Sequence, residues 1–211
     1  MGRSIQRGAW DPDDSSLSIA GGRLRLLMST SPLGRRIHVL GNSGAGKSTL
    51  ARRLAEHLGV DFVDLDALYW QPGWREPEEA QFHARLREAT RSDGWVVGGS
   101  YVRHAEAVFW DRLETAILLD LPVPQLLGRV LVRSWRRWRS NELLWGTNRE
   151  RFWPQLKVWD PESSMLGHVL HVHRERRQHF VERMTDPRWR HVRFVRLCSQ
   201  REVDQLLLAL G

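Results

Sequence analysis

The chain has 211 residues, 41% hydrophobic and 27% charged, which suits one compact domain and is too short for two of ordinary size. No run approaches the roughly 20 apolar residues of a membrane helix, and no apolar stretch with a small-residue cleavage site follows the N-terminal arginines. A single cysteine, Cys198, excludes an internal disulfide and a cysteine-rich metal site, so a cytoplasmic location is expected.

Residues 1–33 carry no sustained period of 3.6 or 2 and include an Asp-Pro-Asp-Asp-Ser-Ser run, so they are expected to form a poorly ordered extension, with the folded domain at 34–211. Met28, just before the patterned region, is a candidate start of translation. The first strand is expected at Arg36–Leu40, ended by glycine. From Lys47 the leucines at 50, 54 and 58 recur at helical spacing until Gly59 stops the helix. Val60–Asp64 reads as a second strand, Pro72-Gly73 as a turn, and Phe82, Leu86 and Ala89 as one face of a helix starting near Pro77. Trp95–Val97 is a third strand closed by Gly98-Gly99, and Ala116–Leu119 a fourth closed by Asp120 and Pro122. Leu126, Val130 and Leu131 mark a helix whose other face carries Arg129, Arg133, Arg136 and Arg137. After a long helical middle, Val192–Leu197 supplies a fifth strand, and Val203, Leu206 and Leu207 a closing helix. Strands alternating with helices predict an α/β fold with a five-stranded parallel sheet covered on both faces. A helical lid insert, about residues 129–185, would separate the fourth and fifth strands.

Gly41-Asn42-Ser43-Gly44-Ala45-Gly46-Lys47-Ser48-Thr49 fits G-x-x-x-x-G-K-[ST], directly after a strand and directly before a helix. Glycines permit a tight turn whose backbone N–H groups converge on phosphate oxygens, and the following helix turns its positive end to the same anion. Lys47 can reach the β- and γ-phosphates, and the Ser48 hydroxyl can ligate Mg²⁺. Only two of the 32 basic residues are lysines, Lys47 and Lys157, so a lysine at this point is an uncommon choice for this chain. ATP and Mg²⁺ are the expected ligands. No guanine-reading Asn-Lys-x-Asp follows a later strand, and the small size with a helical insert points to small-molecule kinases.

From about Ile37 onward the chain resembles the adenylate-kinase-like P-loop proteins of bacteria often labelled DNA topology modulation proteins. The phosphate loop, Asp64–Trp70 with Pro72-Gly73-Trp74, Trp95–Tyr101 and Leu119–Pro122 carry the resemblance. It implies a three-layer P-loop kinase fold of nucleoside-monophosphate-kinase type and nucleotide binding. Where that family usually reads Asp-Gly-Asn-Tyr, this chain has Gly98-Gly99-Ser100-Tyr101. The carboxylate that would organise magnesium waters must then come from Asp64 or Asp66, or metal-assisted transfer is weakened.

Asp64 and Asp66 follow the second strand at the carboxyl edge of the sheet, where open α/β folds bind ligands. A carboxylate there can orient an acceptor hydroxyl, take its proton or hold a magnesium water; helix capping is the plainer alternative. Tyr69, Trp70 and Trp74 can stack on a ring or pack in the core, Gly99, Ser100 and Tyr101 can shape the same pocket, and Arg103 can clamp an acceptor anion. Arg129, Arg133, Arg136 and Arg137, at i, i+4, i+7 and i+8, form one side of a helix that can enclose a transferring phosphoryl group; Arg149, Arg151 and Arg174 are further candidates. Trp135, Trp138, Trp145 and Trp153 are expected to pack the lid helices. His168, His171 and His173 are too crowded by arginines to make a metal site, and Cys198 is expected as inert packing on a core strand.

Charge adds to this. The chain carries a net +7, with +5 in residues 129–153, +6 in 170–201 and −4 in the remainder, so a polyanionic ligand, nucleotide phosphates or nucleic acid, belongs with the C-terminal half. The sequence thus reads as an ATP-dependent kinase for a small-molecule acceptor, which includes nucleotides. Its chemistry is assigned to Lys47, Asp66, Arg133 and Arg137, and a magnesium ion to Ser48 with Asp64 as a second candidate. The alternatives are an ATP-switched nucleic-acid-binding regulator, which no recognisable nucleic-acid module supports, and a degenerate kinase that only binds nucleotide.

Overall fold

The computed structural model describes residues 33–149, 152–155 and 164–210. The expected N-terminal extension with Met28, Arg151, the Arg174 side chain and part of the expected lid lie outside the described residues.

The first strand, β1 (Arg36–Gly41), is buried almost throughout, because both its edges are paired and both its faces are covered. It is followed by α1 (Lys47–Leu58), β2 (Asp61–Asp64), α2 (Leu65–Tyr69), α3 (Glu79–Ala89) and β3 (Trp95–Gly98). Next come α4 (Val102–Val108), β4 (Thr115–Leu119) and α5 (Val123–Arg139), then a short antiparallel hairpin of β5 (Leu143–Leu144) and β6 (Asn148–Arg149). The chain closes with α6 (Phe152–Gln155), α7 (Met165–Thr185), β7 (Arg193–Leu197) and α8 (Gln200–Leu208). The main sheet has five parallel strands in the order β2-β3-β1-β4-β7, the α/β architecture that the alternating elements predict.

Alternation along the strands sorts the two faces. Leu40, Val63, Trp95, Val97, Ala116 and Leu118 pack with Phe82 and Leu86 of α3, Phe109, Trp110 and Phe180 of α7 into one core layer. The intervening residues face α1, whose Leu50, Ala51, Leu54 and Ala55 are buried, and Arg52 of α1 lies 4.5 Å over the Phe62 ring. Gly59 ends α1 in the left-handed region, as the sequence indicates.

His38 is fully buried in the first layer, and its hydrogen bonds fix its tautomer. Trp110 Nε1, which can only donate, gives its hydrogen to Nδ1 at 3.0 Å, so Nε2 carries the ring hydrogen and donates to the Gly99 carbonyl at 3.1 Å. The ring is therefore neutral, and burial pushes its pKa down to about 3.

One expectation is corrected and one is met in part. Cys198 is not on the last strand but follows it, and is exposed; β7 ends at Leu197. Trp135 and Trp138 of α5 do pack against Phe152 and Trp153 of α6, with ring centroids 5.2 to 6.1 Å apart, but as a surface cluster, Trp135, Trp138 and Trp153 being 44%, 40% and 63% exposed; Trp145 packs instead against Trp74. Large aromatics favour burial only where a second layer exists to cover them. Among the described residues no helix is long and apolar enough to cross a membrane.

Candidate active site

The loop between β1 and α1 is wedged against the end of β4 and the start of α5, and glycine is what allows this. Gly41 has φ 145°, and a Cβ there would stand 2.7 Å from the Leu119 carbonyl oxygen; Gly44 has φ 79°, and its Cβ would stand 2.8 Å from that of Leu126. Neither position accommodates a side chain. Lys47 and Ser48 open α1, so both begin where that helix presents unsatisfied N–H groups. The Lys47 ammonium donates to the Asn42 carbonyl at 3.1 Å, drawn back over the loop. Burial, followed by the charge of Arg176, lowers its pKa to about 8, with Asp66 the main opposing charge. A buried ammonium among arginines is short of negative charge, and a polyphosphate is the group that supplies it.

A cavity of about 380 Å³ adjoins the loop, lined by Gly44, Ala45, Thr49, Arg129, Arg133 and Gln200 among others. Arg129 Nη2 donates to Gln200 Oε1 at 2.7 Å, tying α5 to the start of α8 across this space. Arg129 and Arg133 also line a second cavity of about 460 Å³, which takes in Arg136, Arg137 and Glu142. The arginine face of α5 thus extends from the phosphate loop outward, with Arg133 at the loop and Arg137 one turn further away.

Opposite the loop, β2 runs directly into α2. Asp64 caps that helix, its Oδ1 accepting from the Asp66 amide at 3.1 Å, so the capping alternative holds for Asp64. It does not exhaust the residue, since burial and then the Asp66 charge hold its pKa above the usual carboxylate range. Asp64 pairs in parallel register with Gly98 and so shares the α1 face with it. A Cβ on Gly98 would lie 3.1 Å from Ala51 Cβ and 3.4 Å from Ser48 Cα. Position 98 is therefore crowded and next to Ser48, and Asp64 is the carboxylate on the adjoining strand.

Asp66 lies near the Tyr101 hydroxyl; burial and then the Asp66 charge keep that phenol protonated far above neutrality. Tyr101 stacks on Tyr69 at 4.3 Å, with their planes at 28°, so each tyrosine has one face occupied by the other. Trp70 sets its edge against Tyr69 and Trp74. Ser100 Oγ donates to the Gly41 carbonyl at 2.7 Å, which fastens the Gly99–Tyr101 segment to the phosphate loop. Arg103 stands apart, exposed on α4 beside His104.

One site residue that sequence reasoning missed is Arg176. From α7 its Nη1 donates to the Gly41 carbonyl at 2.8 Å and to Ser100 Oγ at 3.0 Å, and its Nη2 lies 3.2 Å from His168 Nε2. Burial lowers its pKa, and Asp66 opposes that shift, so Arg176 and Asp66 belong to one electrostatic group. Asn42 completes the docking of α7, its Nδ2 donating to the Val169 carbonyl at 2.9 Å. His173, Arg177 and Arg196 instead gather around Asp120 at the end of β4, away from Lys47 in the hydrogen-bond network. The β5–β6 hairpin reaches the acceptor side: Asn148 Oδ1 accepts from the Trp74 amide at 2.9 Å, Asn148 Nδ2 donates to the Gln71 carbonyl at 3.1 Å, and the Arg149 carbonyl accepts from the Trp74 indole at 3.1 Å.

Comparison with known proteins gives a consistent picture. Residues 43–142 match the family described as shikimate kinase. The chain is 25% identical over 119 residues to the uncharacterized protein YqaC of Bacillus subtilis, covering 56% of this chain and 66% of that one. It is 32% identical over 120 residues to a shikimate kinase of Salinibacter ruber, covering 50% of this chain and 59% of that enzyme. A solved shikimate kinase from Acinetobacter baumannii in complex with shikimate is 23% identical, with 83% of this chain and 89% of that one covered, at a TM-score of 0.46. The chain thus spans about three fifths of the length of these curated relatives. Its likeness is to shikimate-kinase-like P-loop kinases; a match to the DNA topology modulation proteins is not among these findings.

Proposed function

We propose that the protein is an ATP-dependent kinase that transfers the γ-phosphoryl group to a hydroxyl of a small molecule, with the adenylate-kinase-like architecture that its motifs resemble. The observation that carries this reading is the convergence, at a loop where two glycines admit no side chain, of Lys47, Arg133 and Arg176 with Asp64 and Asp66. Cations to receive a polyphosphate and carboxylates to receive a hydroxyl meet at one point, and phosphoryl transfer requires both.

In this reading the N–H groups of residues 41–49 and the Lys47 ammonium hold the β- and γ-phosphates. The 380 Å³ cavity between Arg129, Gln200 and the loop takes the rest of the nucleotide. The Ser48 hydroxyl, with Asp64 across the Gly98 gap, fits a magnesium ion, which when bound neutralises charge on the phosphates. Asp66 orients the acceptor hydroxyl and accepts its proton as the new O–P bond forms and the bond from Pγ to the β–γ bridging oxygen breaks, leaving the electron pair on ADP. Arg133 offsets charge on the transferring group, with Arg137 following from the same helix face. Tyr69, Trp70, Gly99, Ser100 and Tyr101 border the acceptor space.

The reading is tested by incubating purified protein with γ-labelled ATP, Mg²⁺ and a panel containing shikimate, gluconate, other polyols and nucleoside monophosphates. Transfer of label to one small hydroxyl compound is the expected result. Nucleotide binding without transfer to any of them would favour the degenerate, binding-only alternative.

A further inference from the structure

Away from the phosphate loop, α3 and α4 bring three metal-ligating side chains together. Glu79 and His83 are one helical turn apart on α3 and so share a face; His104 meets them from α4. One ligand atom from each lies within 4.8 Å of the other two. His83 Nε2 and His104 Nδ1 are 3.0 Å apart, and the Glu79 carboxylate is 3.7 Å from His83 Nε2. Tetrahedral zinc with ligands at 2.0–2.1 Å places neighbouring ligand atoms about 3.3 Å apart, so the two pairs that meet at His83 lie within about half an ångström of that spacing, and rotation of the exposed Glu79 carboxylate adjusts the third.

We infer that Glu79, His83 and His104 form a zinc site that staples α3 to α4, with water as the fourth ligand. Two imidazoles and one carboxylate are a donor set that zinc accepts. Both rings are held in place from behind: His104 sets its edge against Phe82 at 5.2 Å, and His83 is half-buried beside it. In the metal-free protein the facing nitrogens share one hydrogen. Binding moves that hydrogen to the far nitrogen of the same ring, so both facing nitrogens present lone pairs without a net change in charge on the imidazoles. The Glu79 carboxylate supplies negative charge against the nearby Arg103. This donor set differs from the His168–His173 stretch, where His168 contacts Arg176 and His173 faces Asp120, so those rings point to separate partners.

Chelator-stripped full-length protein is titrated with Zn²⁺ by equilibrium dialysis. Wild type is expected to bind one Zn²⁺ per chain, the double variant His83→Ala/His104→Ala none, and Glu79→Ala at least tenfold more weakly. At a free Zn²⁺ concentration a hundred times Kd, the melting temperature of wild type should rise by roughly 5–10 °C. Zinc X-ray absorption should show two imidazoles in the first shell. Failure of wild type to bind Zn²⁺, or undiminished binding by the double variant, overturns the inference. Should that variant not fold, Glu79→Ala still decides, since Glu79 is exposed and an unchanged affinity there overturns it equally.

Discussion

The phosphate loop and the surfaces that face it are built in opposite ways. Residues 41–49 are contiguous, and their binding groups are largely backbone, fixed by glycines pressed against Leu119 and Leu126. The facing surface is assembled from five separate pieces: Asp64 and Asp66 after β2, Gly99–Tyr101 after β3, Arg129 and Arg133 on α5, Asn148 on the hairpin and Arg176 on α7. A contiguous backbone cradle suits a ligand portion that never varies, the polyphosphate. Side chains borrowed from several elements suit an acceptor that differs from one kinase to another, because each can change without disturbing the loop.

That contrast can be broken at defined points. Replacing the cradle's only side-chain cation, Lys47→Ala, should lower kcat/KM by roughly 10³-fold while leaving the urea midpoint nearly unchanged, measured by coupled assay and equilibrium unfolding. A fall of less than tenfold would remove Lys47 from the transition state. On the assembled side, Asp66→Asn should cost about 10²-fold in kcat, since amide nitrogen and oxygen can orient a hydroxyl but not accept its proton. If KM alone rises, Asp66 binds the acceptor without taking part in the proton transfer. Arg133→Ala should lower kcat by roughly tenfold and weaken ATP binding less than that, if, as proposed, it offsets charge on the phosphoryl group during transfer. Equal losses in both would make it an ordinary binding group.

An effect on stability rather than turnover sharpens the boundary between the two regions, where His38 supports Gly99 from beneath. Its pKa is about 3 when folded and near 6.5 when unfolded, so the neutral ring's contribution is complete above about pH 6.5. As pH falls from there to about 3, unfolding should become easier by roughly 1.4 kcal/mol per pH unit from this residue alone. His38→Gln should start less stable and lose that share of the slope in pH-dependent urea titrations. An unchanged slope would mean the ring is charged or solvated in the folded protein.

The same division explains what could be read from the sequence. The loop was legible because its signal is local: a β-branched run, glycines and Lys-Ser-Thr within fourteen residues of one another. The five strands followed from short β-branched or apolar runs, three of them closed by glycine or proline, and the differences at their ends amount to a residue or so. Arg176 was not legible. It sits among Arg174 and Arg177, and which of these reaches the Gly41 carbonyl depends on how α7 docks, a matter settled by contacts such as Asn42 to Val169 across 127 residues of chain. The exposure of the tryptophans of α5 and α6 was not legible for a related reason: a tryptophan's size says that it finds packing partners, not that another layer covers it. The zinc cluster needed the same long-range information, since Glu79 and His83 make a helical pair in sequence but His104 joins them only through the packing of α4.

The proposed grip of Lys47 and the loop amides on a triphosphate is tested most directly by calorimetry of Mg²⁺·ATP binding. Wild type and Lys47→Ala are compared at about pH 7 and about pH 9, on either side of the Lys47 pKa of about 8 in the free protein. The expected result is tight binding by wild type that weakens at the higher pH with increasing proton uptake, and weak, nearly pH-independent binding by Lys47→Ala. Equal affinity of the two proteins at both pH values, or no binding by wild type, would contradict it.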